Sequence, residues 1–174
     1  MKVGGGLQIE GSAEKFAELQ AAYAGNEAVT TLNRLVAPAG PDGLDAVLAE
    51  AGAPRDLDLL CIDVDGLDWH IWNGMNAFAP RLVVVEFNPS VPNDILFVQD
   101  DDPAVNQSAS LLALIELGKS KGYELVATTE WNGFFVPQDL FPQFDIAENH
   151  IDATHDPAHF VSRLFQCYDG TLVL

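Results

Sequence analysis

Two carboxylates two residues apart stand where an apolar run opens into a glycine, at Asp63-Val64-Asp65-Gly66. A second apolar run ends in Glu86-Phe87-Asn88, and a shorter one ends at Glu10. Carboxylates and a carboxamide in such places can take a proton from a hydroxyl, order the charged end of a cofactor, or hold a hard metal ion. Glu10 precedes a helical pattern and is placed to accept hydrogen bonds from both ribose hydroxyls of a nucleoside-type cofactor. The same position equally suits a solvated acid at a turn. One of Asp65 and Asp68 is expected to cap the helix that follows, which leaves the remaining acids for a site. Gly66 reads as a point of close backbone approach or positive φ.

The histidines carry less. His70 reads as a surface or packing residue. His155 and His159 are four apart on one helical face, but the glutamate of the zinc-binding helix motif is absent, so no metal is expected there. Cys61, inside an apolar run, reads as a small core residue, and Cys167 as a helical one; neither has metal-ligand spacing, and no disulfide is expected. Trp69, Trp72, Phe78, Phe134 and Phe135 have core spacing, whereas Trp131 is expected at the surface, where it can line an acceptor pocket.

These residues are positioned by alternating strands and helices. Leu7–Ile9 reads as a strand, and Ser12 caps a helix with Phe16, Leu19 and Tyr23 on one face, stopped at Gly25. Ala28–Leu32 is a second strand. Asp42 is expected to cap a short helix with Leu44, Val47, Leu48 and Ala51 inward. Leu57–Ile62 and Arg81–Val85 are almost continuously apolar, as parallel strands covered on both faces are. A helix over Trp69–Phe78 lies between them, with Trp69, Trp72 and Met75 or Asn76 on its stripe. The aperiodic segment 88–107 reads as a functional lid or a mobile loop. Ser108 is expected to cap a helix carrying Leu111, Leu112, Leu114, Ile115 and Leu117. Tyr123–Thr129 and Phe134–Val136 form a hairpin around Trp131-Asn132-Gly133, since Asn-Gly between apolar runs is a strong turn signal. Asp156-Pro157 opens a last helix through Tyr168, and Thr171–Leu174 adds a terminal strand. The alternation implies a mostly parallel α/β sheet closed by one antiparallel hairpin.

Composition bounds the partners. The chain has 174 residues, 48% of them hydrophobic, which is enough for one α/β domain with a sizeable core. Its 26 acidic and 8 basic residues give a net charge of −18, which repels nucleic acid and anionic lipid, so neither is expected as a partner. No apolar run is long enough for a membrane span and the start lacks a signal-peptide core, so a cytoplasmic location is expected.

Asp58-Leu59-Leu60-Cys61-Ile62-Asp63-Val64-Asp65-Gly66-Leu67-Asp68, followed by Pro80 to Pro89 with Val83-Val84-Val85-Glu86, resembles the FkbM-type methyltransferase family. Gly6 to Ser12 is similar to the family's second strand, and Ser110 to Leu114 and Gly122 to Val126 are similar to its later helix and strand. The resemblance implies a class I methyltransferase sheet of the Rossmann-like type and S-adenosylmethionine as cofactor. It also implies O-methylation of a small-molecule or glycan hydroxyl. By position it places Glu10 at the ribose, Asn33 near the adenine, Asp63, Asp65 and Gly66 at the methyl donor, and Glu86 and Asn88 beside the acceptor. The family's first strand and glycine loop would precede Gly6, where only five residues stand, so the expected sheet lacks that strand. Its place would be taken by another filler, by a partner chain, as in a homo-oligomer, or by direct pairing across the gap. Asp63-Val64-Asp65-Gly66 is also similar to the motif of haloacid-dehalogenase-type phosphatases, although Leu67 stands where that motif has Thr. A third expectation is a methyltransferase-fold module that is truncated or without catalysis.

Overall fold

The computed structural model describes residues 5–156 and 165–173 of an α/β chain built from two compact units. One unit comprises the chain up to Asp58 with His70–Pro80, and the other Leu59–Trp69 with the chain from Arg81 onward.

In the first unit, β1 (Gly6–Glu10) and β2 (Val29–Asn33) run parallel, in register from Gly6↔Val29 to Glu10↔Asn33. Between them α1 (Ala13–Ala22) makes the crossover, and the Ser12 side chain accepts from the Lys15 N–H as its cap. Phe16, Leu19 and Tyr23 form the expected stripe. It is only half-buried, and no residue of β1, α1 or β2 is buried. A two-stranded sheet offers too little apolar surface for a core of its own. The core of this unit lies instead in α2 (Leu44–Glu50), which buries Leu44, Val47 and Leu48, and in Ile71, Trp72, Met75 and Phe78. Asp45 of α2 fastens the two segments, accepting from the Asn76 N–H at 2.7 Å and from the Ala77 N–H at 3.0 Å. Gly74 must lack a side chain because a Cβ there would run into the Pro38 carbonyl.

Two expectations fail in this unit. Asp42 does not cap α2; it ends a 3₁₀ turn (Gly40–Asp42) and its carboxylate pairs with Arg34 at 3.3 Å, leaving Gly43 at the cap. Ala51 is exposed because it lies past the last turn, where the chain turns away through Gly52 at φ 70°.

The second unit holds a four-stranded mixed sheet in the order β3-β4-β6-β5: β3 (Leu60–Ile62), β4 (Val83–Glu86), β6 (Asn132–Pro137) and β5 (Tyr123–Thr128). β3 and β4 are parallel; β6 is antiparallel to both β4 and β5. Val83, Val85, Phe87, Leu125 and Phe135 are buried in the sheet, and α4 (Leu111–Ser120) covers it with Leu111, Leu114, Ile115 and Leu117. The short helix α5 (Ile151–Thr154) is tied to β5 by Thr128 Oγ1, which donates to the Thr154 carbonyl at 2.6 Å. α3 (Asp68–Gly74) follows the β3 loop, and the chain passes from one unit to the other within it. A ribbon of β7 (Phe165–Gln166) and β8 (Leu172–Val173) ends the described chain. Among the described residues no helix is long and apolar enough to cross a membrane.

Here too the structure corrects local expectations. Cys61 is exposed and not in the core: β3 is an edge strand whose pairing with β4 turns Leu60 and Ile62 inward and Cys61 outward. The cap of α4 is Ser110, whose side chain accepts from the Ala113 N–H, whereas Ser108 is buried at φ 55°. Asn132 and Gly133 belong to β6, because pairing with Glu86 and Val85 extends that strand; the turn lies over Thr129–Trp131, where Thr129 Oγ1 accepts from the Asn132 N–H. The helix expected from Asp156 falls on residues 157–164, outside the described residues, and does not continue to Tyr168, since Phe165–Gln166 is a strand. Cys167 therefore lies in the ribbon turn, its N–H bonded to the Thr171 carbonyl. Both cysteines are free and exposed.

Candidate active site

The acids of the second unit meet where two adjacent parallel strands end. Asp63 and Asp65 follow β3, Glu86 is the last residue of β4, and each offers a carboxylate oxygen within 4.8 Å of the others. The carboxyl ends of parallel strands are where α/β folds place ligands, since the loops diverge there and backbone amides are left unpaired by the sheet.

Asp68 builds the loop that carries the pair. It is completely buried, and its two carboxylate oxygens accept from the Val64 N–H and the Gly66 N–H, each at 3.0 Å. The loop thereby turns through Asp65 at φ 56° and Gly66 at φ 132°, the second a conformation that side chains resist. Asp68, the first residue of α3, thus holds the loop that precedes the helix, and Asp63 and Asp65 remain exposed. Burial pushes the Asp68 carboxyl up, against the pull of its two amide partners.

Glu86 is half-buried. Desolvation, reinforced by the negative charges of Asp68, Asp63 and Asp65, pushes its carboxyl up to about 7. A carboxyl balanced near neutrality can accept a proton from a substrate or give one back. The same field reaches Cys61, whose thiol is pushed up by burial first and then by Asp63 and Asp68.

Asn88, two residues beyond Glu86, is engaged by the backbone of its own loop. Its side-chain amide donates to the Gln107 carbonyl at 2.9 Å and its Oδ1 accepts from the Ser90 N–H at 2.9 Å, so it closes the segment 88–107. Within that segment the ends are tied by a second side chain. Gln99, 3% exposed, accepts from the N–H groups of Gln107 and Ser108 and donates to the Val105 carbonyl, all at 2.8 Å. Gln99 is the functional-site neighbour that sequence reading misses. A lone glutamine in an aperiodic run carries no signal. Trp131 is 50% exposed as expected, and its carbonyl accepts from the Phe87 N–H beside Glu86. His155 is buried edge-on against Phe87, with ring centroids 5.0 Å apart, which suits packing; His159 lies outside the described residues.

Glu10 and Asn33 belong to the first unit and lie side by side at the ends of β1 and β2. One Glu10 carboxylate oxygen accepts from the Ser12 N–H at 2.7 Å, which fixes the turn into α1. The Asn33 amide donates to the Glu10 carbonyl at 2.7 Å and to the Gly11 carbonyl at 3.3 Å. Both residues thus stand at the carboxyl ends of parallel strands, as read from the sequence, and both serve the local backbone. No protein-family model matches the chain, and neither does any curated protein or solved structure.

Proposed function

We propose that the chain is a methyltransferase of the class I, FkbM-like type, transferring a methyl group from S-adenosylmethionine to a hydroxyl of a small molecule or glycan. The observation that carries this reading is the meeting of Asp63, Asp65 and Glu86 at the ends of adjacent parallel strands. Support also comes from the order of strands, two parallel and then an antiparallel hairpin, and from the motif resemblance around Asp63 and Glu86.

The donor set suits that cofactor: a sulfonium and an ammonium are cations, and three carboxylates favour cations. When bound, the cofactor supplies an electrophilic methyl group. Glu86 would hold the acceptor hydroxyl and accept its proton. Asp63 and Asp65 keep a cationic group near that oxygen, and Trp131 offers an apolar wall. By the resemblance alone, Glu10 would hold the ribose and Asn33 would lie near the adenine.

Calorimetric titration with S-adenosylmethionine and S-adenosylhomocysteine tests this directly. Binding that disappears in Glu10→Ala is the expected result, together with methyl transfer to hydroxyl acceptors that is lost in Glu86→Gln. Absence of binding to both compounds would leave a methyltransferase-like module without catalysis. One observation favours a second reading: three convergent carboxylates also suit a hard divalent cation, as in a magnesium-dependent phosphatase. Magnesium-dependent hydrolysis of a phosphate ester, lost in Asp63→Asn, would select it.

A further inference from the structure

We propose that Gln99 is the positioning residue that sets the Asp63–Asp65 loop against Glu86 and Asn88. The inference rests on the proposed reading of that acid group as the active site, and it concerns how the group is held together. Two separate segments bring the acids, and within the second unit Gln99 touches the supports of both. On one side its carboxamide lies against Gly66: a Cβ there would come within 2.9 Å of Gln99 Oε1 and equally close to the Val105 carbonyl oxygen that Gln99 Nε2 engages. On the other side Gln99 Oε1 takes the N–H groups of Gln107 and Ser108, and this short stretch grips the end of β4. Asn88 Nδ2 donates to the Gln107 carbonyl at 2.9 Å, and the Asn88 N–H donates to the Ala109 carbonyl at 2.8 Å.

One side chain therefore joins the glycine that ends the Asp63-Val64-Asp65 turn to the residue two positions beyond Glu86. The identity of the residue follows from its bonds. A buried group that must accept from two amides and donate to one carbonyl needs both halves of a carboxamide. An apolar residue of the same length would leave the buried Ser108 amide without a partner, which is costly, and would also release the less buried Gln107 amide and Val105 carbonyl. Gly66 is the counterpart, since only a residue without a Cβ leaves room for the carboxamide. Asp68 holds the same loop from beneath through the Val64 and Gly66 amides, so the loop is clamped from two directions.

The test is amide spectroscopy by nuclear magnetic resonance on Gln99→Met and Gln99→Glu, which needs neither cofactor nor turnover. In Gln99→Met, the resonances of Gly66 and Asn88 are expected to shift together, and exchange at Gln107 and Ser108 to quicken about tenfold or more. The β5–β6 amides should keep their wild-type positions. Gln99→Glu supplies the rescue. As a protonated acid it offers a carbonyl to the two amides and an O–H to Val105, and burial favours that form. Gly66 and Asn88 should then match wild type measured at the same pH near pH 5 and depart from it near pH 8. This comparison stands even if Gln99→Met fails to fold. A shift at Gln107 and Ser108 with Gly66 unmoved would overturn the proposal, because Gln99 would then only fold its own segment. So would a difference between Gln99→Glu and wild type, taken at each pH, that does not change with pH, since the titration of Glu86 is common to both proteins. If the two flanks respond together but no methyl transfer occurs in the wild type, the positioning role stands and the methyltransferase reading fails. If transfer does occur, Gln99→Met should lower kcat about tenfold or more with KM for the methyl donor unchanged, the mark of misplaced chemistry and not of lost binding.

Discussion

Glu86→Gln should make the protein more stable at alkaline pH and leave it unchanged in acid. In the folded chain, desolvation and then the charges of Asp68, Asp63 and Asp65 raise the Glu86 carboxyl from 4.5 to about 7. The folded state therefore binds this proton more tightly than the unfolded state does. The resulting stabilisation is fully present below pH 4.5 and is lost as the pH rises through about 7. A tenfold change in proton affinity corresponds to about 1.4 kcal/mol. Glu86 is only half-buried and solvent screens it, so the full product is discounted to about 1–2 kcal/mol. Glutamine has nearly the same shape and never ionises, so at pH 8.5 the variant should gain about that amount, roughly 2–8 °C in Tm for a chain of this size. At pH 3, below the unfolded value, both proteins carry a neutral side chain at 86 in the folded and unfolded states and should melt together. Urea unfolding of the pair across this range isolates the effect, since titrations common to both proteins cancel. The carbon-13 shift of the Glu86 carboxyl gives the midpoint independently. A difference that does not vary with pH, or a midpoint at the value of an ordinary glutamate, would refute the desolvated, like-charged environment on which the proposed role of Glu86 as base depends.

Asp68→Ala removes the acceptor of two loop amides, and burial of those unpaired donors should cost about 2–4 kcal/mol in urea unfolding. Asp63→Asn, at an exposed position, should cost far less, so equal losses in the two variants would contradict the division of labour between them. Cys61 is exposed but its thiol is pushed up by burial, Asp63 and Asp68, so iodoacetamide should label it slowly at pH 8 for lack of thiolate. Asp63→Asn should accelerate that labelling, which mass spectrometry can follow at Cys61 alone; an unchanged rate would show that the carboxylate does not reach the sulfur.

Much of the architecture is local and is written in the chain. Ser12 followed by an apolar stripe, Gly122 before Tyr123, and near-continuous apolar runs ending in acids are enough to predict strands, helices and the ends at which acids gather. Those features depend on neighbours a few residues away, so sequence order alone carries them. Trp131 is legible for the same reason: a large residue in a polar turn between two strands stays partly exposed.

Other properties depend on distant partners. Ser108 and Ser110 are equally good caps by type, and the choice fell to Ser110 because its side chain also accepts from the Phe97 N–H across the loop. Cys61 faces outward because the pairing of β3 with β4 decides which alternate residues turn in. Asn132-Gly133 is a turn signal by type, yet Val85 and Glu86 pair with those two residues and draw them into β6. Clearest of all is Glu86. That an acid ends this strand is plain in the sequence; that its carboxyl sits near neutrality is not. That property arises only when three other carboxylates from a neighbouring loop are brought close and water is partly shut out, and both conditions come from contacts between segments far apart in the chain.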